Sequence, residues 1–223
     1  MSSIVRLVLL SDTHTLHDEL RVPDGDVLIH AGDLLNRGTL RELAGAAAFL
    51  RALPHREKVL IAGNHDWCLQ DEPALAEPML AGITYLRDRE AVVAGLRIYG
   101  SPWQPWFFDW AFNLRRGAEI RAKWDLIPSG LDVLVTHGPP LGFGDRVRRG
   151  ERVGCADLLE AVRRTRPALH VFGHIHEDHG VFVEDGITYA NACICTLGYE
   201  PTQAPLVFDY ERATRRCVRV HDV

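Results

Sequence analysis

Nine side chains able to bind a cation or move a proton stand in five short clusters: Asp12 with His14; Asp33; Asn64, His65 and Asp66; His137; and His174 with His176. All offer carboxylate, imidazole or amide-oxygen donors. No cysteine lies among them apart from the distant stretch NACICT, which contains Cys193 and Cys195. Such donors suit manganese, iron, zinc, nickel or magnesium. They are too many for one tetrahedral ion. They fit two divalent metal ions that share a bridging group, with the cations offsetting the charges of Asp12 and Asp33. Two apart in FGHIH, His174 and His176 can then each serve its own ion.

Each cluster directly follows an apolar run: VRLVLLSDTH, DVLIHAGD, KVLIAGNHD, DVLVTHGPP and LHVFGHIH. The runs are of strand length and rich in Val, Leu and Ile, without clean alternation, as strands buried on both faces read. Helical patterns separate some of them. TLRELAGAAAFLRAL puts Leu40, Leu43, Ala47 and Leu50 on one face, with Thr39 and Glu42 spaced as a capping box. CADLLEAVRRTRP is a second helix that stops before Pro167. A third stretch, NLRRGAEIRAKW, would carry Gly117 inside a helix, where glycine is unfavourable. Toward the end, VFVEDGITYAN reads as a hairpin turning at Asp185-Gly186, and LVFDY and RCVRV as two more strands. The sum is an α/β fold, in which sites form beyond the carboxyl ends of the strands. All five clusters would then meet on one edge.

No linker or repeat divides the 223 residues, so one domain over 1–223 is expected. The formal net charge of −5 argues against a sequence-independent nucleic-acid partner. It leaves room for a small anion held by local positive charge. Five cysteines, an odd number with no CxxC pair, fit a reducing cytoplasm better than a disulfide framework. The opening MSSIVRLVLLSD is too short an apolar run for a membrane span or signal peptide.

In order and approximate spacing, DTH (12–14), GD (32–33), GNHD (63–66), THG (136–138) and GHIH (173–176) resemble the calcineurin-like metallophosphoesterases. YGSPWQPWFFDWAFN (99–113), HGPPLGFGD (137–145), FGHIHEDHG (172–180) and the NAC segment (191–193) are similar to its metallophosphoesterase-domain-containing branch. The resemblance implies a four-layer sandwich of two facing mixed β-sheets flanked by helices. It implies a first metal on Asp12, His14 and His176, a second on Asn64, His137 and His174, and Asp33 bridging both. His65 would reach toward the phosphate or the leaving oxygen, with Asp66 orienting it from behind. Glycines 32, 63, 138 and 173 would let the backbone turn where each strand hands over its ligand.

Two adjacent cations lower the pKa of a shared water and offset charge building on a phosphoryl group. The expected activity is hydrolysis of phosphodiesters, cyclic nucleotides by resemblance to that branch, with manganese as the first candidate metal. A phosphomonoesterase or protein phosphatase is the rival with the same chemistry, and a binding or scaffold protein on the same fold is the rival without it. An intact ligand set argues against the latter. Of the aromatic stretch PWQPWFFDWAF, most rings read as a loop packed on itself, with Trp103 or Trp106 as a wall that stacks a nucleobase. His30 and His170 read as core histidines and His17, His55 and His221 as solvated. Cys193 and Cys195 read as buried small residues, and the arginines of RVRRGER (146–152) as a solvated loop.

Overall fold

A computed structural model of the chain describes residues 3–221. In chain order the elements are β1 (Ile4–Leu10), β2 (Val27–His30), α1 (Leu40–Ala52), β3 (Glu57–Leu60), α2 (Trp67–Asp71), α3 (Pro73–Met79), β4 (Thr84–Tyr85), β5 (Arg89–Val93), β6 (Leu96–Ser101), β7 (Gln104–Pro105), β8 (Asn113–Leu114), α4 (Ala118–Trp124), β9 (Val133–Thr136), α5 (Ala156–Thr165), β10 (Leu169–Phe172), β11 (Gly180–Glu184), β12 (Ile187–Asn191), β13 (Leu206–Glu211) and β14 (Arg216–Val220).

Two six-stranded mixed sheets face each other, ordered β14-β13-β1-β2-β3-β4 and β11-β12-β10-β9-β6-β5. Each has four adjacent parallel strands: β1 to β4 in one, and β12, β10, β9 and β6 in the other. Antiparallel strands finish the edges, β13 against β1, β11 against β12 and β5 against β6. The β11–β12 hairpin turns at Asp185-Gly186 as the sequence predicts, with both residues at positive φ.

The apolar runs explain the layering. Leu7, Leu9, Ile29 and Val59 point between the sheets and meet Ile98, Val133, Val135 and Val171. Their neighbours Val8, Leu10, Leu28 and Leu60 point the other way, onto the buried face of α1 (Leu43, Ala46, Ala47, Leu50) and Ala76 of α3. On the far side Tyr99, Leu134, Phe172 and Tyr189 pack on Ile120 and Trp124 of α4 and Leu158 and Val162 of α5. The result is helix, sheet, sheet, helix. Full burial of each Leu or Ile contributes about 1.5–3 kcal/mol, so the loops at the strand ends rest on a stiff base.

α1 begins with the full capping box: Thr39 Oγ1 accepts from Glu42 N at 3.2 Å and the Glu42 carboxylate accepts from Thr39 N at 3.3 Å. Gly117 does not lie inside a helix. It precedes α4 at φ +85°, a conformation that suits glycine and lets the helix start cleanly after it.

Candidate metal centre

Every cluster sits where a parallel strand ends. Asp12 and His14 follow β1, Asp33 follows β2, and Asn64, His65 and Asp66 follow β3, while His137 follows β9 and His174 and His176 follow β10. The loops are laced together by main-chain bonds: Asp12 N to Gly32 O at 2.9 Å, His14 N to Asp33 O at 3.1 Å, and Gly173 N to His137 O at 2.9 Å. Four of these residues hold left-handed backbone angles, Asp12 at φ +54°, His14 at +45°, Asp33 at +52° and His174 at +70°. Such non-glycine conformations cost about 1–3 kcal/mol each and persist only where the surroundings over-determine them. A side chain at Gly63 would collide with Asp33 Oδ1, and one at Gly173 with Asp12 Oδ2 and Ser11, so both positions must be bare. Gly138 has ordinary room around it and no such requirement.

The donors converge in three overlapping groups: Asp12, His14 and His176; His14, Asp33 and His65; and Asp33, His137 and His174, with ligand atoms within 4.8 Å of one another in each. Asp33 belongs to two groups. Its Oδ1 accepts from His65 N at 2.7 Å, which leaves Oδ2 between His137 Nε2 at 3.4 Å and His14 Nε2 at 3.9 Å. Asn64 Oδ1 lies 2.9 Å from His137 Nε2. His14 Nε2 and His176 Nε2 lie 3.4 Å apart, and His176 Nε2 lies 3.4 Å from Asp12 Oδ1.

Three imidazoles are oriented through their other nitrogen. His137 Nδ1 donates to Ala31 O at 3.0 Å, His176 Nδ1 to Thr196 O at 3.0 Å, and His65 Nδ1 to Asn36 O at 2.7 Å. A carbonyl accepts only, so it fixes the proton on Nδ1 and frees Nε2. At His137 and His176 that Nε2 then faces several oxygen or nitrogen lone pairs at once. Only a proton or a metal cation satisfies such a convergence, so the residues present fit divalent ions. Electrostatics agrees. Burial pulls the pKa of His137 down, but Asp33 and Asp12 outweigh it and raise it to about 9. Burial likewise opposes and Asp12 overcomes it at His176, also raised to about 9. Burial holds His14 down to about 4 and His174 to about 3, which keeps them neutral and ready as ligands.

Two supports around the centre were not legible as such in the sequence. Asp12 Oδ2 accepts from His174 N at 2.9 Å and from the fully buried Cys193 thiol at 3.0 Å, which turns Oδ1 toward His176. Cys193 is therefore more than a small buried residue. Asp66 corrects the expectation that it orients His65. Its carboxylate accepts instead from Gly63 N at 2.7 Å and Leu35 N at 2.9 Å, so it ties the loop carrying Asp33 to the loop carrying Asn64. The orienting group for His65 is the Asn36 carbonyl.

A cleft of about 440 Å³ opens over Asp33, Asn64, His65, His174 and His176. Trp106 and Phe107 line it, as do Trp110, Leu197 and Tyr199. The Trp110 ring lies 4.3 Å from that of His65. Trp103 is the other correction. Its Nε1 donates to Asp88 Oδ2 at 2.8 Å, its ring packs edge-on against Phe112 at 5.5 Å, and Lys123 Nζ caps it at 4.5 Å. That indole is thus engaged away from the cleft, which it does not line, and Trp106 is left as the exposed ring of the pair. His30 and His170 are core histidines, bonded to Thr13 and Thr136. His17 and His55 are not solvated: they are buried, His17 against Phe49 and His55 bonded to Pro23 O.

The family profile described as Calcineurin-like phosphoesterase matches residues 5–178. Metallophosphoesterase domain-containing protein 1 of Homo sapiens is 45% identical over 229 aligned residues, covering 92% of this chain and 70% of that one. A UPF0046 protein of Caenorhabditis elegans is 41% identical over 92% of this chain and 80% of its own. Among solved structures, a Thermus thermophilus protein superposes with a TM-score of 0.62 at 12% identity, covering 98% of this chain and 99% of that one. GAP50, the anchor in the inner membrane complex of Plasmodium, gives 0.54 at 10% identity over 93% and 81%. At these identities the structural matches speak for the fold alone.

Proposed function

The chain belongs to the calcineurin-like phosphoesterase family, and we propose that within it the protein hydrolyses small phosphodiesters, cyclic nucleotides among them. The observation that carries the diester reading is the charge of the cleft. Arg116 is the one arginine or lysine among the described residues lining it, and its guanidinium already donates to Val153 O at 2.7 Å and Gly154 O at 2.8 Å. Glu177 adds a carboxylate to the same wall. A diester brings one negative charge; a monoester brings about 1.5 to 2 near pH 7. Among the described lining residues no arginine or lysine free of such bonds is left for the second charge of a monoester.

Asp12, His14 and His176 would hold one divalent ion and Asn64, His137 and His174 the other, with Asp33 a ligand available to both. Manganese is the first candidate, and iron, zinc, nickel and magnesium suit the same donors. When bound, such ions supply Lewis acidity toward the phosphoryl oxygens and a water of lowered pKa. The chain's own part is positional. Its carboxylates and oriented imidazoles fix where the phosphoryl group sits, and Asn64 stands beside His137 at the cleft floor. His65, with Nδ1 committed to Asn36, presents Nε2 to the substrate. In its protonated form it hydrogen-bonds a phosphoryl oxygen and passes its proton to the leaving alkoxide as the P–O ester bond breaks and water oxygen bonds to phosphorus. Five free cysteines suit a reducing cytoplasm.

Chelated protein, reloaded separately with manganese, iron, zinc, nickel or magnesium, tests this on a bis-aryl phosphate, the matching aryl monoester and the cyclic nucleotides. Diester turnover should exceed monoester turnover at saturation of metal. A preference for the monoester would overturn the reading.

A further inference from the structure

The rim of the cleft is built from rings, and they stand on different sides of the centre. Phe107 lies 6.2 Å from the His174 ring, whereas Tyr199 lies 4.8 Å from His14 and 5.7 Å from His176. Four large apolar side chains are about half exposed here, Trp106 at 56%, Phe107 at 54%, Leu197 at 53% and Tyr199 at 46%. Exposed apolar side chains gathered on one concave surface mark a binding site rather than ordinary surface. Tyr199 is held there at φ +57°, a conformation unfavourable for an aromatic residue. Its loop is anchored to the centre, because Thr196 supplies the carbonyl that orients His176. No short motif points to Leu197 or Tyr199.

We propose that Leu197 and Tyr199 form the second wall of a clamp whose first wall is Trp106 and Phe107, and that this clamp grips a planar aromatic group of the substrate, with Tyr199 setting the selectivity. The proposal rests on the phosphodiesterase reading and names what that ester must carry. The geometry favours a ring because the cleft offers flat apolar surfaces and almost no spare charge, while the metal-binding floor takes the phosphate. A nucleobase and an aryl ester share this chemistry. Stacking of one base on one aromatic side chain contributes about 1–3 kcal/mol, so loss of one wall should cost about tenfold in selectivity.

Two matched pairs test it on manganese-loaded protein. Adenosine 2′,3′-cyclic phosphate and glycerol 1,2-cyclic phosphate share the reacting ring but only the first carries a base. Bis(4-nitrophenyl) phosphate and methyl 4-nitrophenyl phosphate share the leaving group but only the first carries a second ring. Wild-type protein should favour the ring-bearing member of at least one pair in kcat/KM. Tyr199→Ala should lower that preference about tenfold, mostly through KM, and Tyr199→Phe should retain it. Trp106→Ala, at an exposed side chain, is the second variant and should act alike. A shift in the adenosine pair alone assigns a nucleobase, in the nitrophenyl pair alone an aryl ester, and in both any flat ring. Preferences that stay constant in both variants overturn the clamp. If wild-type protein hydrolyses none of the four, the phosphodiesterase reading fails. The clamp is then judged by equilibrium dialysis of adenosine 2′-monophosphate against glycerol 2-phosphate: a tighter adenosine ligand that loses its advantage in Tyr199→Ala supports it, and equal binding refutes it.

Discussion

Removing the metals should make the protein fragile toward alkali, and the size of the effect follows from two imidazoles. His137 and His176 are each raised to about 9 in the metal-free fold, as Asp33 and Asp12 outweigh the penalty of burial. In the unfolded chain both return to about 6.5. A folded pKa above the unfolded one means a stabilisation complete below about pH 6.5 and lost as pH climbs through about 9. At 1.36 kcal/mol per unit each imidazole contributes about 3 kcal/mol. They share the same two carboxylates, so the pair together contributes about 3–5 kcal/mol. For a domain of this size that is a fall of about 10 °C in Tm between about pH 6.5 and 9. On the acid side the sign reverses. His14 is lowered to about 4, and His30, His170 and His174 to about 3, chiefly by burial. The unfolded chain takes up those protons first, so stability declines below about pH 6.5 as well. Metal-free protein should therefore be most stable near about pH 6.5. Divalent ions replace the two protons as partners of Asp12 and Asp33, so loading should abolish the alkaline fall and release protons. The assay is calorimetric: Tm against pH for chelated and manganese-loaded protein, then metal titration in buffers of differing ionisation enthalpy. A metal-free Tm that is flat or rising from about pH 6.5 to 9, or uptake of metal without proton release, would refute the reasoning.

Substitutions at three positions probe the site separately. His65→Ala should keep both ions by elemental analysis yet lower kcat by about 10²-fold, most on poor leaving groups; an unaltered rate on an alkyl ester removes its proton-donating role. Asp66→Asn places a donor where Gly63 N or Leu35 N now donates to a carboxylate, at a cost of about 2–4 kcal/mol, read as a Tm lowered by about 10 °C at saturating metal. Cys193→Ala removes a donor from Asp12 and should weaken metal binding about tenfold by competition with a chelator, while Cys193→Ser restores it; equal affinity in all three would show that the thiol only fills space.

The cluster residues were legible because each lies within a few residues of the end of a doubly buried strand, a position that the apolar run before it marks. The same holds for α1, whose capping box and apolar stripe are local in sequence. What was hidden depends on contacts between distant segments. β1 takes β13 as a neighbour, about two hundred residues away, and no local pattern sets that order. Trp103 and Trp106 are equivalent in any reading of PWQPWFFDWAF, and only the positions of Asp88 and Lys123 send the first inward. His17 and His55 look solvated until Phe49 and Pro23 are placed beside them. Cys193 could be recognised as a donor only once the segment after β12 bridged to Ser11 after β1, which brings it under Asp12.

These hidden contacts bear on how the centre acts. Left-handed backbone at Asp12, His14, Asp33 and His174 is unfavourable locally and needs enforcing. The enforcing groups are main-chain bonds between strand-end loops, the carboxylate of Asp66, the thiol of Cys193 and the bare Cα of Gly63 and Gly173. All of them rest on sheets whose facing sides are packed with Leu, Ile and Val. These contacts within the chain thus hold the donors in place. Donors fixed in this way cost little to order around a bound cation, whose own stabilisation raises the rate only where it grows toward the transition state.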